Sequence, residues 1–228
     1  MRINADFGQT VILQSDRMEW MASPMPGVER KMLDRIGGEV ARATSLVRYA
    51  PRSRFSPHVH GGGEEFLVLE GVFSDETGDF PAGTYVRNPV DSGHAPHSDP
   101  GCVIFVKLHQ FDPTDRRQIA IHCDETNPEP GGESPHRQVL HQHSSELVEW
   151  LRFAPGGVLP REDLPGGEEI FVVAGELESD GLRHGPGTWI RNPPGRRAAL
   201  TCPPAARTAA RLYRKVGHLT DERLQPWR

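Results

Sequence analysis

The segment SPHVHGGGEE, residues 56 to 65, concentrates residue types that hold metal ions. His58 and His60 are two apart, so on an extended chain both imidazoles leave the same face, within reach of one ion. Gly61, Gly62 and Gly63 permit a tight reversal that brings Glu64 beside them on a neighbouring strand. Imidazole nitrogens and a carboxylate suit zinc, iron, nickel, copper or manganese. A fourth ligand has to come from another strand end. His94 follows the run GTYVRNP at a suitable place, and His97, three residues on, is the competing candidate. An isolated HxH pair is more often a packing accident than a site. Here it is followed at fixed spacing by Glu64, Gly71, Pro81, Gly83 and His94, and that combination points to a metal.

Other reactive residues carry less. His109 closes the run VIFVKLHQ and either reaches the site or lies exposed. His141 and His143 repeat the HxH spacing with no GGEE behind them, and are expected at the surface. Cys102 follows Gly101 at the start of an apolar strand and reads as a small buried thiol. Cys102, Cys123 and Cys202 form no CxxC pair, which argues against a disulfide framework and a four-cysteine zinc site. Arg87 and Arg191 recur in two RNP segments, as a repeated ion pair or hydrogen bond would. Trp20, Trp150 and Trp189 are expected in a core or an interface. There is no G-x-S-x-G, no glycine-rich phosphate loop and no paired-acid pattern, so no separate catalytic acid or base is assigned.

The elements that position these residues come from an internal repeat. A shift of 104 residues lays Tyr49 on Phe153, GGEEFLVLEG (62–71) on GGEEIFVVAG (166–175) and GTYVRNP (83–89) on GTWIRNP (187–193). Each copy reads as short apolar runs closed by Gly and Pro, which are strand lengths with turn signals between them. The expectation is an all-β protein of two tandem barrels. The first spans 1–125, with TVILQ and the turn-rich MASPMPGVE adding strands to it. A linker occupies 126–136 within DETNPEPGGESPHR, and the second barrel spans 137–228. In the second copy Glu162 stands opposite His58, Leu164 opposite His60 and Ala198 opposite His94, while Glu168 alone repeats a ligand. That copy is therefore degenerate, with one metal expected per chain. The GGEE shared by both copies needs a further explanation, and the turn itself is the expected one.

Composition narrows the function classes. With 24 Gly and 21 Pro in 228 residues, many short strands and turns are favoured over long helices. Net charge is −5, from 26 basic and 31 acidic residues interspersed, which offers no basic field for a nucleic-acid backbone. No apolar run approaches the roughly 18 residues of a membrane span, and the first residues lack a signal-peptide pattern, so a cytoplasmic location is expected.

The phrases HVHGGGEEFLVLEG, FPAGTYVRNP and the HAPHS region resemble the cupin superfamily, and within it the ChrR-type cupin domain, duplicated as a bicupin. The match to the first motif is His58, His60, Glu64 and Gly71; to the second, Pro81, Gly83 and His94, with His97 where the family places an asparagine. The resemblance implies two jelly-roll barrels and a metal held by His58, His60, Glu64 and His94. The cofactor is one divalent transition metal, zinc or iron foremost, then nickel or manganese. Related cupins include Fe(II)-dependent dioxygenases that cleave small dicarbonyl substrates, which makes a small chelating molecule one expected partner. The other is a protein regulator, since ChrR-like anti-sigma factors use a metal-bound cupin to sense oxidative stress. Their sigma-binding zinc motif, HxxxCxxC, does not occur in these residues, the first cysteine being Cys102. Jelly-roll edges often pair, so a homodimer is expected.

Overall fold

A computed structural model describes residues 1–38, 40–123, 126, 134–195 and 199–227. The expected linker at 126–136 lies mostly outside the described residues. The chain forms two compact units, one of residues 1–5, 18–123 and 227, the other of 6–17, 124–226 and 228.

In the first unit one antiparallel sheet runs in the order Val28–Gly37, Ala41–Tyr49, Cys102–Leu108, Glu64–Asp75, Thr84–Asn88 and Ile119–His122. Its inward residues include Tyr49, Phe66, Val68, Val86, Cys102, Ile104 and Val106, which form one apolar core with Phe73 and Phe80. Strand alternation sends Glu65, Leu67, Arg87, Phe105 and Lys107 to the opposite face, where they too are buried. Charged residues at such places need partners, and Arg87 pairs with Glu65 at 3.0 Å and Asp115 at 2.7 Å. The recurrent arginine is thus a structural ion pair in this copy.

The second unit repeats the plan in the order His136–His143, Glu146–Phe153, Ala210–Val216, Glu168–Ala174, Thr188–Asn192 and Val11–Gln14. The 104-residue offset relates Glu64–Asp75 to Glu168–Ala174 and Thr84–Asn88 to Thr188–Asn192, and the offset grows to 108 between Cys102–Leu108 and Ala210–Val216: Phe66 faces Val106 and Val86, while Ile170 faces Arg214 and Ile190. Trp150 and Trp189 are buried in this unit; Trp20 in the first is half-buried and lies between Lys31 and Arg48, at 4.6 and 4.5 Å.

One expectation is overturned. TVILQ does not extend the first barrel: Val11–Gln14 pairs with Thr188–Asn192 of the second unit, Val11 facing Arg191. Ile119–His122 takes the matching place in the first unit, Ile119 facing Arg87. Phe111 stacks on Arg87 at 3.8 Å and Phe7 on Arg191 at 4.1 Å, so FGQT and FDPT do the same work. Each repeat's leading strand borders the other repeat's unit. An edge strand joins whichever sheet edge offers it free backbone groups, and these need not come from the nearest part of the sequence. Phe7→Ala is expected to cost about 3 kcal/mol. Hydrogen exchange should then accelerate at Thr188–Asn192 and stay unchanged at Thr84–Asn88.

Candidate metal centre

The strand His58–Val59 pairs with Gly93–His94, which sets His94 directly opposite His58. His60 follows immediately. The Gly63 N–H donates to the His60 carbonyl at 3.1 Å, closing the turn that delivers Glu64 to the start of the Glu64–Asp75 strand. The turn needs its glycines. A Cβ at Gly62 would lie 2.1 Å from His109, one at Gly63 would lie 2.4 Å from Phe111, and Gly63 has φ +74°. The expected pairing of the histidine strand with the Glu64 strand is not found, because Glu64 is flanked by Asn88 and Leu108. Glu64 reaches the histidines through the turn, by side-chain placement alone.

The ring centroids of His58, His60 and His94 are 4.9, 5.1 and 4.7 Å apart, and each offers a nitrogen within 4.8 Å of the others. Glu64 Oε2 lies 3.5 Å from Nε2 of both His60 and His94. Those two Nε2 atoms are sealed from solvent and make no hydrogen bond. A buried polar atom left unsatisfied costs about 1–3 kcal/mol, and two such atoms aimed at one carboxylate oxygen fit a shared cation. His58 is exposed and its Nδ1 contacts the Ser56 carbonyl at 3.1 Å, which leaves Nε2 as its free nitrogen.

Asp75, which sequence reasoning missed, accepts a hydrogen bond from His94 Nδ1 at 3.0 Å. It also accepts from the Thr77 N–H and hydroxyl at 2.7 and 2.5 Å. Burial opposes charge on His94, but the Asp75 hydrogen bond and the carboxylates of Glu64 and Asp75 outweigh it and raise the pKa. Burial likewise opposes the Asp75 carboxylate, and the bonds from His94 and Thr77 prevail, holding its pKa low. His60 goes the other way, because burial and the neighbouring imidazoles lower its pKa despite Glu64. A carboxylate behind a histidine fixes the tautomer that presents Nε2. Asp75→Asn is therefore expected to weaken metal affinity about 10- to 100-fold. Metal binding must displace any proton from His94, whose pKa falls once the carboxylate charge is gone. The low-pH edge of metal binding should thus move to lower pH in this variant, as a pH series of metal titrations would show.

His97 sits on His97–Ser98, facing Arg54 and Ser74, outside the ligand group. His109 packs near the glycine turn, its ring 5.7 Å from Trp227, with a pKa lowered by burial. The Cys102 thiol is pushed up to about 11 by burial, so it stays protonated and weakly reactive near neutral pH. His141, expected at the surface, is buried. The register shift between Val139 and His141 on the His136–His143 strand changes which face the later residues take.

In the second unit a guanidinium meets the residues that occupy the ligand places. Arg214 Nε donates to Glu168 Oε2 at 2.9 Å, and its other nitrogens lie 3.3 Å from Glu149 and 3.5 Å from Glu162. Burial opposes the Arg214 charge, but Glu168, Glu149 and Glu162 outweigh it and raise the pKa. Asn192 donates to Glu168 at 2.9 Å, as Asn88 does to Glu64 at 3.4 Å. Ala198, aligned with His94, lies outside the described residues. The repeated GGEE also has its explanation. Gly167 N–H donates to the Leu164 carbonyl at 2.8 Å, matching Gly63 and His60. The second glutamate is structural in both copies, Glu65 accepting from Tyr85 and Arg87, Glu169 from Trp189 and contacting His218.

The family described as the ChrR Cupin-like domain matches the chain twice, over residues 8–112 and 116–216. No curated protein matches it. Among solved structures, a candidate dioxygenase from Nostoc punctiforme is 14% identical, covering 92% of this chain and 82% of its own, at TM-score 0.71. The pirin YhhW from Escherichia coli, in complex with nickel(II), is 10% identical with 91% and 98% coverage and TM-score 0.65. A mutant of the oxalate decarboxylase OxdC from Bacillus subtilis is 11% identical with 92% and 77% coverage and TM-score 0.57. At such identities the likeness speaks to the fold. The two matches of the family, one to each repeat, establish that this chain belongs to the ChrR cupin-like family as a tandem duplication whose first copy carries the three-histidine cluster.

Proposed function

We propose that the first barrel holds one divalent transition metal through His58, His60, His94 and Glu64, and that the protein is an iron-dependent dioxygenase of a small chelating substrate. The observation that carries this reading is the pair of sealed, unpartnered Nε2 atoms of His60 and His94 facing Glu64. When bound, Fe(II) supplies open coordination positions at which a chelating molecule and O2 can meet. The residues around it supply position and shelter. Asp75 holds the His94 ring, while the Glu64 carboxylate offsets positive charge beside three imidazoles. Phe73, with its ring 5.8 Å from that of His94, belongs to the apolar core that limits water on the inner side. The exposed His58 and Val59 mark the side open to solvent. The fold neighbours described as a candidate dioxygenase and as a nickel complex support a metal-based reading without naming the ion.

Family membership also favours a second reading, a metal-containing stress sensor acting on a protein partner. Anaerobic purification with metal analysis and an O2-uptake screen on acetylacetone and 2-oxo acids decides between them. Iron with substrate-dependent uptake, abolished in Glu64→Gln, is expected. Zinc alone, no uptake with any chelating acid, and metal-dependent release of a sigma factor would replace the enzyme by the sensor.

A further inference from the structure

The inner face of the first unit's sheet carries a feature that the metal ligands do not use. A cavity of about 450 Å³ beside the Val28–Gly37 strand is lined by Pro24, Met25, Arg30, Met32 and Arg35, among others. Arg30 and Arg35 are five residues apart, so plain alternation would send them to opposite faces. The register shift between Met32 and Asp34 prevents this. Arg30 faces Val47, Met32 faces Ser45 and Arg35 faces Ala43, so the bulge returns Arg35 to the face of Arg30 and Met32. Val47 packs on the apolar core, which identifies that face as the inner one.

Among the described residues, neither guanidinium here meets a countercharge. Arg35 is only 8% exposed, and Arg30 Nε is sealed from solvent with no hydrogen-bond partner among the described residues. No described residue lining the cavity is acidic. Arg35 donates to the Gly38 carbonyl, and burial together with the Arg30 charge lowers its pKa. The second unit provides an internal control. Arg137 faces Leu151 as Arg30 faces Val47, and the residue in the place of Ser45 is Glu149, which Arg137 meets at 3.0 Å. Gln142 stands where the first unit has Arg35. One copy thus has a neutralised arginine; the copy with the histidine cluster has two beside a cavity and, among the described residues, no acid that meets them.

We infer that the first barrel binds a small organic carboxylate in this cavity, with its head on Arg30 and Arg35 and its apolar body against Pro24, Met25 and Met32. Guanidinium forks match the two oxygens of a carboxylate, and methionine thioethers adapt to a short hydrocarbon body. The volume lies within the range of small-molecule sites. The inference does not depend on the metal.

Hexanoate titrated into the full chain, metal-free and metal-loaded, with calorimetry as the readout, tests it. Saturable binding is expected in both forms, with hexanamide bound at least about ten-fold more weakly, because the arginines lose their ionic partner. Arg35→Gln should lower hexanoate affinity about ten-fold, and adding Arg30→Gln should abolish binding. Circular dichroism reports whether the double variant folds; if it does not, the preference of the unaltered protein for hexanoate over hexanamide decides. Equal affinity for the two, no hexanoate binding, or full binding in a folded double variant would overturn the site. Hexyl phosphate bound more than about ten-fold tighter than hexanoate would overturn the carboxylate head.

Discussion

The double variant His58→Ala, His60→Ala is expected to reduce bound metal from one equivalent per chain to less than about a tenth after desalting. It removes two of the four proposed ligands, where loss of a single outer partner already costs about 10- to 100-fold in affinity. The metal-free variant should remain folded, since His58 is exposed and the Nε2 of His60 forms no hydrogen bond to lose. Thermal stabilisation by added metal should disappear with it. A ligand at 1,000 times its dissociation constant stabilises by about 4 kcal/mol, so the comparison of melting curves has a large signal. Full occupancy in the variant, or two tight equivalents in the unaltered chain, would refute a single centre in the first barrel.

Arg214→Met in the second unit is expected to cost about 3–5 kcal/mol in urea unfolding, because it leaves Glu168 and Glu149 buried without their shared cation. Adding Glu149→Gln and Glu168→Gln should recover most of that loss, since the penalty comes from uncompensated charge and the methionine stem still fills space. Arg214→Lys should recover only part, as a single ammonium cannot span three carboxylates the way a guanidinium fork does. Metal content should not change in any of these proteins. A near-neutral Arg214→Met would mean that the buried ion pairs gain no more than their desolvation costs.

Much of the candidate site is legible in the chain because its logic is local. HxH on an extended segment fixes two imidazoles to one side, and the three glycines admit a turn so tight that any side chain at Gly62 or Gly63 would strike His109 or Phe111. Asp75 was not legible. It lies 19 residues before His94, and only the convergence of the Glu64–Asp75 strand end with Gly93–His94 brings the two within 3.0 Å. Arg214 was hidden for a similar reason. Nothing near it in sequence marks it as a partner of Glu168; the pairing of Glu168–Ala174 with Ala210–Val216 does.

The sequence by itself determined the duplication, the strands, the turn glycines and the histidine spacing, because each follows from residue type and separation along a few neighbouring residues. Tertiary structure alone decided which strand borders which unit, sending Val11–Gln14 to Thr188–Asn192 and Ile119–His122 to Thr84–Asn88. It also decided, through two bulges, that Arg35 shares a face with Arg30 and that His141 is buried. An apolar run states that it will pair and which of its sides is apolar. Its partner and register depend on the free energy of every competing pairing in the folded chain, a quantity that no short stretch of residues contains.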